Sequence, residues 1–221
     1  MKQIKPNIWM LQETKLKPNE TIECASLNEY QVYHLSRQES QGGGIALGVD
    51  RNLKSTLIKE GTDETEALSV KVFLDKMEVR AITAYGPQEN ALKEKKLECW
   101  EFLEEEVNCA DLEGDGLILQ MDGNLHAGSN LNRNDPNKQN NNGFLFCEFL
   151  ARNPQLIVVN TLDLCEGLIT RKRVLENNTE EAILDYFIVN ERMRIFLRKM
   201  IMDEEKQFKL LNLAQLKRTK G

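Results

Sequence analysis

Apolar runs of strand length, separated by turns and one long amphipathic segment, constrain the fold of this chain more than any other feature. The runs at residues 67–74 and 79–85 flank the polar turn Asp75-Lys76-Met77. This pattern predicts an antiparallel hairpin. From Leu92 to Ala110, apolar residues recur at helical spacing with acidic residues on the opposite face, which predicts a helix. A strand is predicted again at 117–121, because the apolar run there is short.

Further short elements extend the same alternation along the chain. Strands are predicted at 8–11, 42–49, 156–159 and 183–189, helices at 143–152 and 191–202, a polar loop at 130–142, and no element at 203–221. Hairpins mixed with strand–helix alternation predict an α/β protein with mixed sheets packed between helices. Since there is no internal repeat and no Ser/Gly linker, we expect a single domain over residues 1–221.

Composition excludes several classes of protein. The chain is 41% hydrophobic and 29% charged, as globular domains are. Its five cysteines are scattered and never spaced as CxxC, which argues against a disulfide scaffold or a zinc site and favours a reducing compartment. No stretch approaches the roughly 20 apolar residues of a membrane span, and the N-terminus lacks the apolar core of a signal peptide. We therefore expect an intracellular protein without membrane contact, not a secreted one, with the nucleus and the cytoplasm both left open.

Charge is distributed unevenly, although the net charge is −6. Residues 86–116 carry 10 acidic and 3 basic residues, whereas residues 192–221 carry 9 basic and 3 acidic ones. One face is thus suited to a polyanion while another repels it. The alternative, ordinary solvated helix faces, explains each segment equally well.

The stretch Met121-Asp122-Gly123-Asn124 follows a predicted buried strand. Asp, Gly and Asn are common turn residues, so the stretch is compatible with a simple turn. Loops at the carboxyl ends of strands also bind ligands in α/β sheets, and an acid and an amide two positions apart suit one phosphate or one metal ion. Two more carboxylates have similar placements, since Glu13 ends a predicted strand and Asp185 lies inside one. Such carboxylates are usually paired or metal-bound, and their oxygen atoms suit Mg²⁺.

Five motifs in order resemble those of the exonuclease–endonuclease–phosphatase superfamily. They are Leu11-Gln12-Glu13-Thr14, Tyr85-Gly86-Pro87, Asp122-Gly123-Asn124, Thr170 and Leu184-Asp185-Tyr186, and they span roughly residues 8–190. The glycines at 42–44 and the pair Asn142-Gly143 are most similar to endonuclease domains of non-LTR (LINE-type) retrotransposons, in the apurinic-endonuclease-like branch. The resemblance implies a DNase I-like fold, a four-layer sandwich of two mixed β-sheets flanked by helices. It also implies nicking of target DNA to prime reverse transcription.

The resemblance assigns roles to individual residues. Glu13 would hold Mg²⁺, with Mn²⁺ as an alternative, against the scissile phosphate. Asp122 would orient or deprotonate the attacking water, and Asn124 would hydrogen-bond to the phosphate. Tyr85 would donate its hydroxyl to a phosphate oxygen as charge develops.

Two further residues complete the set of site residues that the resemblance implies. In the family, the aspartate matching Asp185 lies beside a catalytic histidine and helps to fix its ring. Thr170 would contact the DNA backbone or support the site.

The chain also departs from the family pattern. The family's first strand, with a metal-site asparagine, and its last strand, with Ser/Thr-Asp-His, have no counterpart here, so we expect a domain trimmed at both ends. Met121 and Ala182 replace a glycine and a serine of the motifs. Of the two histidines, His34 is expected to be structural or exposed, and His126 is not expected to replace the missing one. Because loss of a proton-transfer group costs about 10²–10⁴ in rate, turnover is expected to be weak or absent.

Three functions remain open from the sequence. The first is a Mg²⁺-dependent DNA endonuclease, and the second is a catalytically inactive retroelement remnant that at most binds nucleic acid. The third is a phosphatase or phosphodiesterase acting on another ester, since one superfamily site serves several substrates. The expected partner is DNA. The domain is further expected to be monomeric and to be fused to, or encoded upstream of, a reverse transcriptase in the intact element.

Overall fold

The computed structural model describes residues 2–16, 20–23, 28–37, 43–62, 64–131, 137–174, 179–202, 208–210 and 217–220. The strands are β1 (Lys2–Ile4), β2 (Ile8–Gln12), β3 (Glu20–Glu23), β4 (Tyr30–Leu35), β5 (Ile45–Asp50), β6 (Lys54–Glu60), β7 (Glu66–Leu74), β8 (Met77–Tyr85), β9 (Gly116–Asp122), β10 (Leu156–Val158), β11 (Cys165–Glu166), β12 (Arg171–Val174), β13 (Thr179–Ala182), β14 (Asp185–Asn190), β15 (Met200–Ile201), β16 (Phe208–Leu210) and β17 (Lys217–Lys220). The helices are α1 (Lys93–Glu113), α2 (Asn141–Arg152) and α3 (Glu191–Arg194).

A six-stranded mixed sheet forms the centre of the fold, with the strand order β10-β14-β9-β8-β7-β6. Strands β7 and β8 form the predicted hairpin. Strands β8 and β9 run parallel, which requires a crossover connection, and α1 supplies it. Gly114 caps the C-terminus of α1, and its φ of 75° is the left-handed conformation that glycine adopts at helix C-termini. The crossover places the ends of β8 and β9 side by side.

The smaller sheet β2-β5-β4 packs against one face of the six-stranded sheet. The core between the two sheets contains Leu47 and Val49 of β5, Val70 and Val72 of β7, and Ala81 of β8. The opposite face of the six-stranded sheet packs against α1 and α2 in the largest hydrophobic cluster. This arrangement confirms the predicted α/β class with two sheets and flanking helices. The large sheet is mixed, and the pairings within the small sheet are antiparallel in the described part of the chain.

The prediction of a helix over residues 191–202 is wrong. Helix α3 makes a single turn and ends at Arg194. The apolar residues that follow, Ile195 and Phe196, are 72% and 53% exposed, so a longer helix has no apolar surface to cover. Instead, the backbone N–H of Met200 donates to the carbonyl of Leu164, and β15 pairs with β11.

Other differences from the prediction concern the boundaries of elements. Asp185 begins strand β14 and does not lie inside it. Residues 203–221 contain β16 and β17, which pair with β1 and β3, although no element was predicted there. The predicted loop at 130–142 lies partly outside the described residues, and α2 begins at Asn141 because the Asn140 side chain accepts the N–H of Gly143 as an N-cap.

The acidic residues of α1 are largely used within the fold. Arg80, 2% exposed, pairs with Glu106 and Glu113, and Lys71 pairs with Glu113 and Asp115. The contacts of Glu106 and Glu113 hold the helix against β7 and β8, which supports a structural role for this acidic segment. Within the described ranges, no helix is both long and apolar enough to cross a membrane.

Candidate active site

Four polar side chains lie in one row across the ends of neighbouring strands. Glu66 of β7 is in register with Tyr85 of β8, Tyr85 with Asp122 of β9, and Asp122 with Asp185 of β14. Residues paired in register project to the same face of a sheet. That face is the one covered by the small sheet, so the row borders the junction of the two sheets.

Glu13 approaches this row from the other sheet. Glu13 directly follows β2 and has a φ of 53°. Its Oε1 accepts a hydrogen bond of 2.8 Å from the Tyr85 hydroxyl. The preceding Gln12 ties the same strand end to the large sheet, because its amide donates to Thr83 at 2.8 Å and accepts from Gln120 at 3.2 Å. Residues distant in sequence therefore meet at one point between the sheets.

The loops after β8 and β9 hold Asp122 and Asn124 in place. The backbone N–H of Asn124 donates to Asp122 Oδ1 at 3.2 Å, and the Asn124 amide donates to the carbonyl of Gly86 at 2.8 Å. A Cβ at Gly86 would lie 2.3 Å from the carbonyl oxygen of Gly123, so the two loops touch only because glycine is present. The buried Asn142 of α2 supports them by donating to the Asn124 carbonyl at 3.1 Å. The Asp-Gly-Asn stretch is thus both a turn and a part of the site.

Asp185 lies in an environment that disfavours its charged form. Burial, then the nearby charge of Asp122, raises the pKa of Asp185 to about 6, although a hydrogen bond from Thr170 acts in the opposite direction. The Thr170 hydroxyl also accepts the backbone N–H groups of Leu184 at 2.8 Å and Asp185 at 3.1 Å. Thr170 therefore supports the start of β14.

Negative charge accumulates around Asp122 as well. Burial raises the pKa of Asp122, and the charge of Glu13 raises it further, while the N–H of Asn124 and the charge of Arg171 lower it. Burial also raises the pKa of Tyr85. A carboxylate whose pKa is raised by a neighbouring negative charge marks a place where a cation is favourable.

The residues present fit a magnesium ion held by a single protein carboxylate. Within the described ranges, no three His, Cys, Asp or Glu side chains form a metal-binding group. Mg²⁺ does not need such a group, because it commonly binds one or two carboxylates and completes its shell with water and phosphate oxygens. Glu13 suits this role, since its side chain is 49% exposed and its charge acts on the neighbouring Asp122, whose pKa is raised.

The raised pKa of Asp185 leads to a prediction about stability. A carboxyl whose folded pKa of about 6 exceeds its ordinary value of 3.8 contributes stability below pH 4 that is lost as the pH rises through 6. In EDTA at pH 7, Asp185→Asn is therefore expected to raise the free energy of unfolding by up to about 3 kcal/mol, with no gain at pH 4. Urea unfolding at both pH values measures this difference. The exposed Asp163→Asn is the control, and an equal effect of Asp185→Asn at both pH values would contradict the prediction.

Solved structures show which fold this is. The endonuclease domain of TRAS1, a telomere-specific non-LTR retrotransposon, aligns with a TM-score of 0.56 and 15% identity over 76% of this chain and 69% of its own. The 3′-5′ exonuclease NExo from Neisseria meningitidis aligns with a TM-score of 0.62 and 18% identity, over 88% of this chain and 80% of its own. The AP endonuclease LMAP from Leishmania major aligns with a TM-score of 0.62 and 14% identity, over 88% of this chain and 72% of its own. The chain has the DNase I-like fold.

Sequence comparisons alone do not reach this result. No family model matches the chain, and no curated protein matches its sequence. The DNase I-like fold agrees with the order of the five motifs, and it brings Glu13, Tyr85, Asp122, Asn124 and Asp185 into one neighbourhood.

Some residues of the site were not predicted from the sequence. Glu66 and Arg37 lie beside Tyr85, and Arg171 acts electrostatically on Asp122. Glu66 offered one signal, a charged residue directly before the apolar run of β7, but that position equally suits an exposed strand end. The backbone N–H of His126 donates to Asn140 at 3.0 Å, and His34 lies on β4, paired with Ala46.

Proposed function

We propose that this chain is a Mg²⁺-dependent DNA endonuclease domain of the non-LTR retrotransposon type. The observation that carries the proposal is the hydrogen bond between Tyr85 and Glu13 across the two sheets. It joins a carboxylate suited to a cation with a phenol suited to a phosphate, beside Asp122 and Asn124.

Each residue has a defined part in the proposed reaction. Glu13 would hold Mg²⁺, or Mn²⁺ in its place, which supplies Lewis-acid stabilisation of the scissile phosphate and of the leaving 3′-oxygen. Asp122 takes a proton from the attacking water, and its raised pKa makes it a stronger base. Asn124 donates to a non-bridging oxygen with its amide.

Tyr85 and the buried acid complete the reaction site. The Tyr85 hydroxyl donates to the phosphate as negative charge develops on it. Water adds to phosphorus and the P–O3′ bond breaks, which leaves a 5′-phosphate and a 3′-hydroxyl after protonation of the leaving oxygen. We assign this protonation to Asp185, which has a pKa of about 6 and pairs in register with Asp122. The Thr170 hydroxyl accepts the backbone N–H of Asp185 and so supports this residue.

The fold neighbours support the choice of substrate. TRAS1 is described as a retrotransposon endonuclease domain and LMAP as an AP endonuclease. With the glycines at 42–44 and the pair Asn142-Gly143, these neighbours favour a DNA-nicking domain that works with a reverse transcriptase. In this setting the 3′-hydroxyl of the nick is the primer that such an enzyme requires.

Nicking of supercoiled plasmid tests the proposal. With Mg²⁺, the chain is expected to convert supercoiled to open-circular DNA slowly, and in EDTA not at all. Glu13→Gln preserves the size of the side chain but removes the charge that attracts the cation. We therefore expect it to need about 10–100-fold more Mg²⁺ for half-maximal rate, as is typical of a weakened metal site.

The matched control is Glu29→Gln, which removes a charge from an exposed ion pair with Lys5. It should leave the Mg²⁺ requirement unchanged. Equal background nicking by the unmodified chain, Glu13→Gln and the EDTA sample would reject the endonuclease proposal.

A second candidate function is nucleic-acid binding without turnover. One observation favours it: within the described ranges, neither histidine side chain hydrogen-bonds to a carboxylate of the site, and the Nδ1 atom of His126 is buried without a partner. Binding that weakens steeply with salt, in the absence of any nicking, is the result expected for this candidate.

A further inference from the structure

The Glu66 carboxylate occupies a position that the proposed reaction does not explain. It lies at the start of β7, in register with Tyr85, and its side chain is only 3% exposed. A buried carboxylate is costly unless it is paired and hydrogen-bonded. Both oxygens of Glu66 are used, since Oε1 accepts the backbone N–H of Gly44 and Oε2 accepts from the Arg37 guanidinium.

The contact with Gly44 continues to the loop that carries Glu13. The N–H of Thr14 donates to the Gly44 carbonyl at 3.0 Å, and the N–H of Lys15 donates to the Gly43 carbonyl at 2.8 Å. Glu13 and Lys15 both adopt positive φ, 53° and 55°, a conformation that such residues rarely hold without support. Fixing the backbone at Gly44 therefore fixes the turn that presents Glu13.

The contact with Arg37 continues to Tyr85. The Arg37 guanidinium carbon lies 5.8 Å from the centre of the Tyr85 ring, within the range of a cation–π contact. Gly43 leaves the space that this cation occupies, because a Cβ at Gly43 would lie 2.4 Å from Arg37 Nε and 2.6 Å from Glu66 Oε1. One buried carboxylate thus contacts the supports of both Glu13 and Tyr85.

We propose that Glu66 and Arg37 are a positioning pair that holds Glu13 and Tyr85 in their working arrangement. This inference rests on the proposed function for its catalytic meaning, but the positioning itself is independent of turnover. Glu66 acts through the backbone at Gly44 on Glu13, and through Arg37 on the Tyr85 ring. Neither member of the pair is required to touch substrate.

Two measurements that do not need catalysis test the pair. Mn²⁺ binding is followed by electron paramagnetic resonance, and the Tyr85 ring is followed by NMR at one pH with labelled tyrosine. Glu66→Ala removes both contacts, and we expect it to weaken Mn²⁺ binding about 10–100-fold, as loss of an outer support of a metal ligand does, and to shift the Tyr85 resonance. Glu66→Gln keeps the acceptor for Gly44 but loses the charge facing Arg37. It should therefore shift the Tyr85 resonance while binding Mn²⁺ more tightly than Glu66→Ala.

The matched control is Glu106→Gln, which changes another buried carboxylate paired with an arginine. If Glu66→Ala and Glu66→Gln change Mn²⁺ affinity and the Tyr85 resonance no more than Glu106→Gln does, the pair has no positioning role. If Glu66→Ala does not fold, Glu66→Gln and Arg37→Lys test the positioning role in its place, since both are expected to shift the Tyr85 resonance. If the unmodified chain nicks no plasmid, the proposed function is rejected. The positioning role of Glu66 and Arg37 is still tested by the Tyr85 resonance, which does not depend on nicking.

Discussion

Asp122→Asn is expected to lower the nicking rate by about 10²–10⁴, the usual contribution of a positioned proton acceptor. The substitution keeps the size of the side chain and an oxygen that accepts the N–H of Asn124. It removes only the basic carboxylate. Single-turnover nicking at saturating DNA and Mg²⁺ measures the effect on the chemical step, and DNA affinity should change little.

The control for Asp122→Asn is Asp75→Asn, which makes the same chemical change in the exposed turn between β7 and β8. It should nick at the rate of the unmodified chain. A second check is stability, because burial raises the pKa of Asp122 and the neutral variant should unfold no more easily at neutral pH. An Asp122→Asn protein that is folded and fully active would remove Asp122 from the mechanism.

Tyr85→Phe is expected to lower the single-turnover rate by about 10²–10³, the typical cost of losing one donor to a developing negative charge. The ring remains, so its packing against Ile45 and Leu68 is preserved. The lost hydroxyl is the group that donates to the Glu13 carboxylate. Because its bond to phosphate strengthens only as charge develops, the rate should fall while the KM for DNA stays nearly constant.

Tyr33→Phe is the matched control for Tyr85→Phe. Tyr33 packs in the same small cluster as Tyr85, and its hydroxyl lies 3.0 Å from the Ser55 hydroxyl, outside the proposed site. Removing that hydroxyl should leave the rate unchanged. If Tyr33→Phe and Tyr85→Phe lower the rate equally, the effect arises from packing. If Tyr85→Phe raises only the KM for DNA, the hydroxyl acts in substrate binding and not in the chemical step.

Local patterns predicted the elements that carry most of the site. The apolar runs of β2, β8 and β9 are followed within two residues by Glu13, by Gly86 and by Gly123, respectively. The ends of these strands could therefore be predicted from the sequence. The order of the motifs then placed these ends together. Register is a long-range property, however, and the sequence alone did not show that Tyr85, Asp122 and Asp185 would stand side by side.

Tertiary packing decided the parts that the sequence did not predict. Residues 195–201 carry helix-compatible residues, but the pairing of β15 with β11 gives their backbone another partner. Strand β6 was missed because its residues are mostly exposed and polar at the edge of the sheet. Glu66 could not be recognised as buried, because its partners Arg37 and Gly44 are 22 or more positions away.

The division of the site between two sheets has a consequence for how damage to the fold would appear. Glu13 and Gln12 reach Tyr85, Thr83 and Gln120 only across the gap between the sheets. A slight slippage of one layer over the other would separate these groups while leaving the secondary structure of each layer intact. On mild heating, nicking activity would then be lost before the circular dichroism spectrum changes. The nicking rate would therefore report small shifts of one sheet relative to the other.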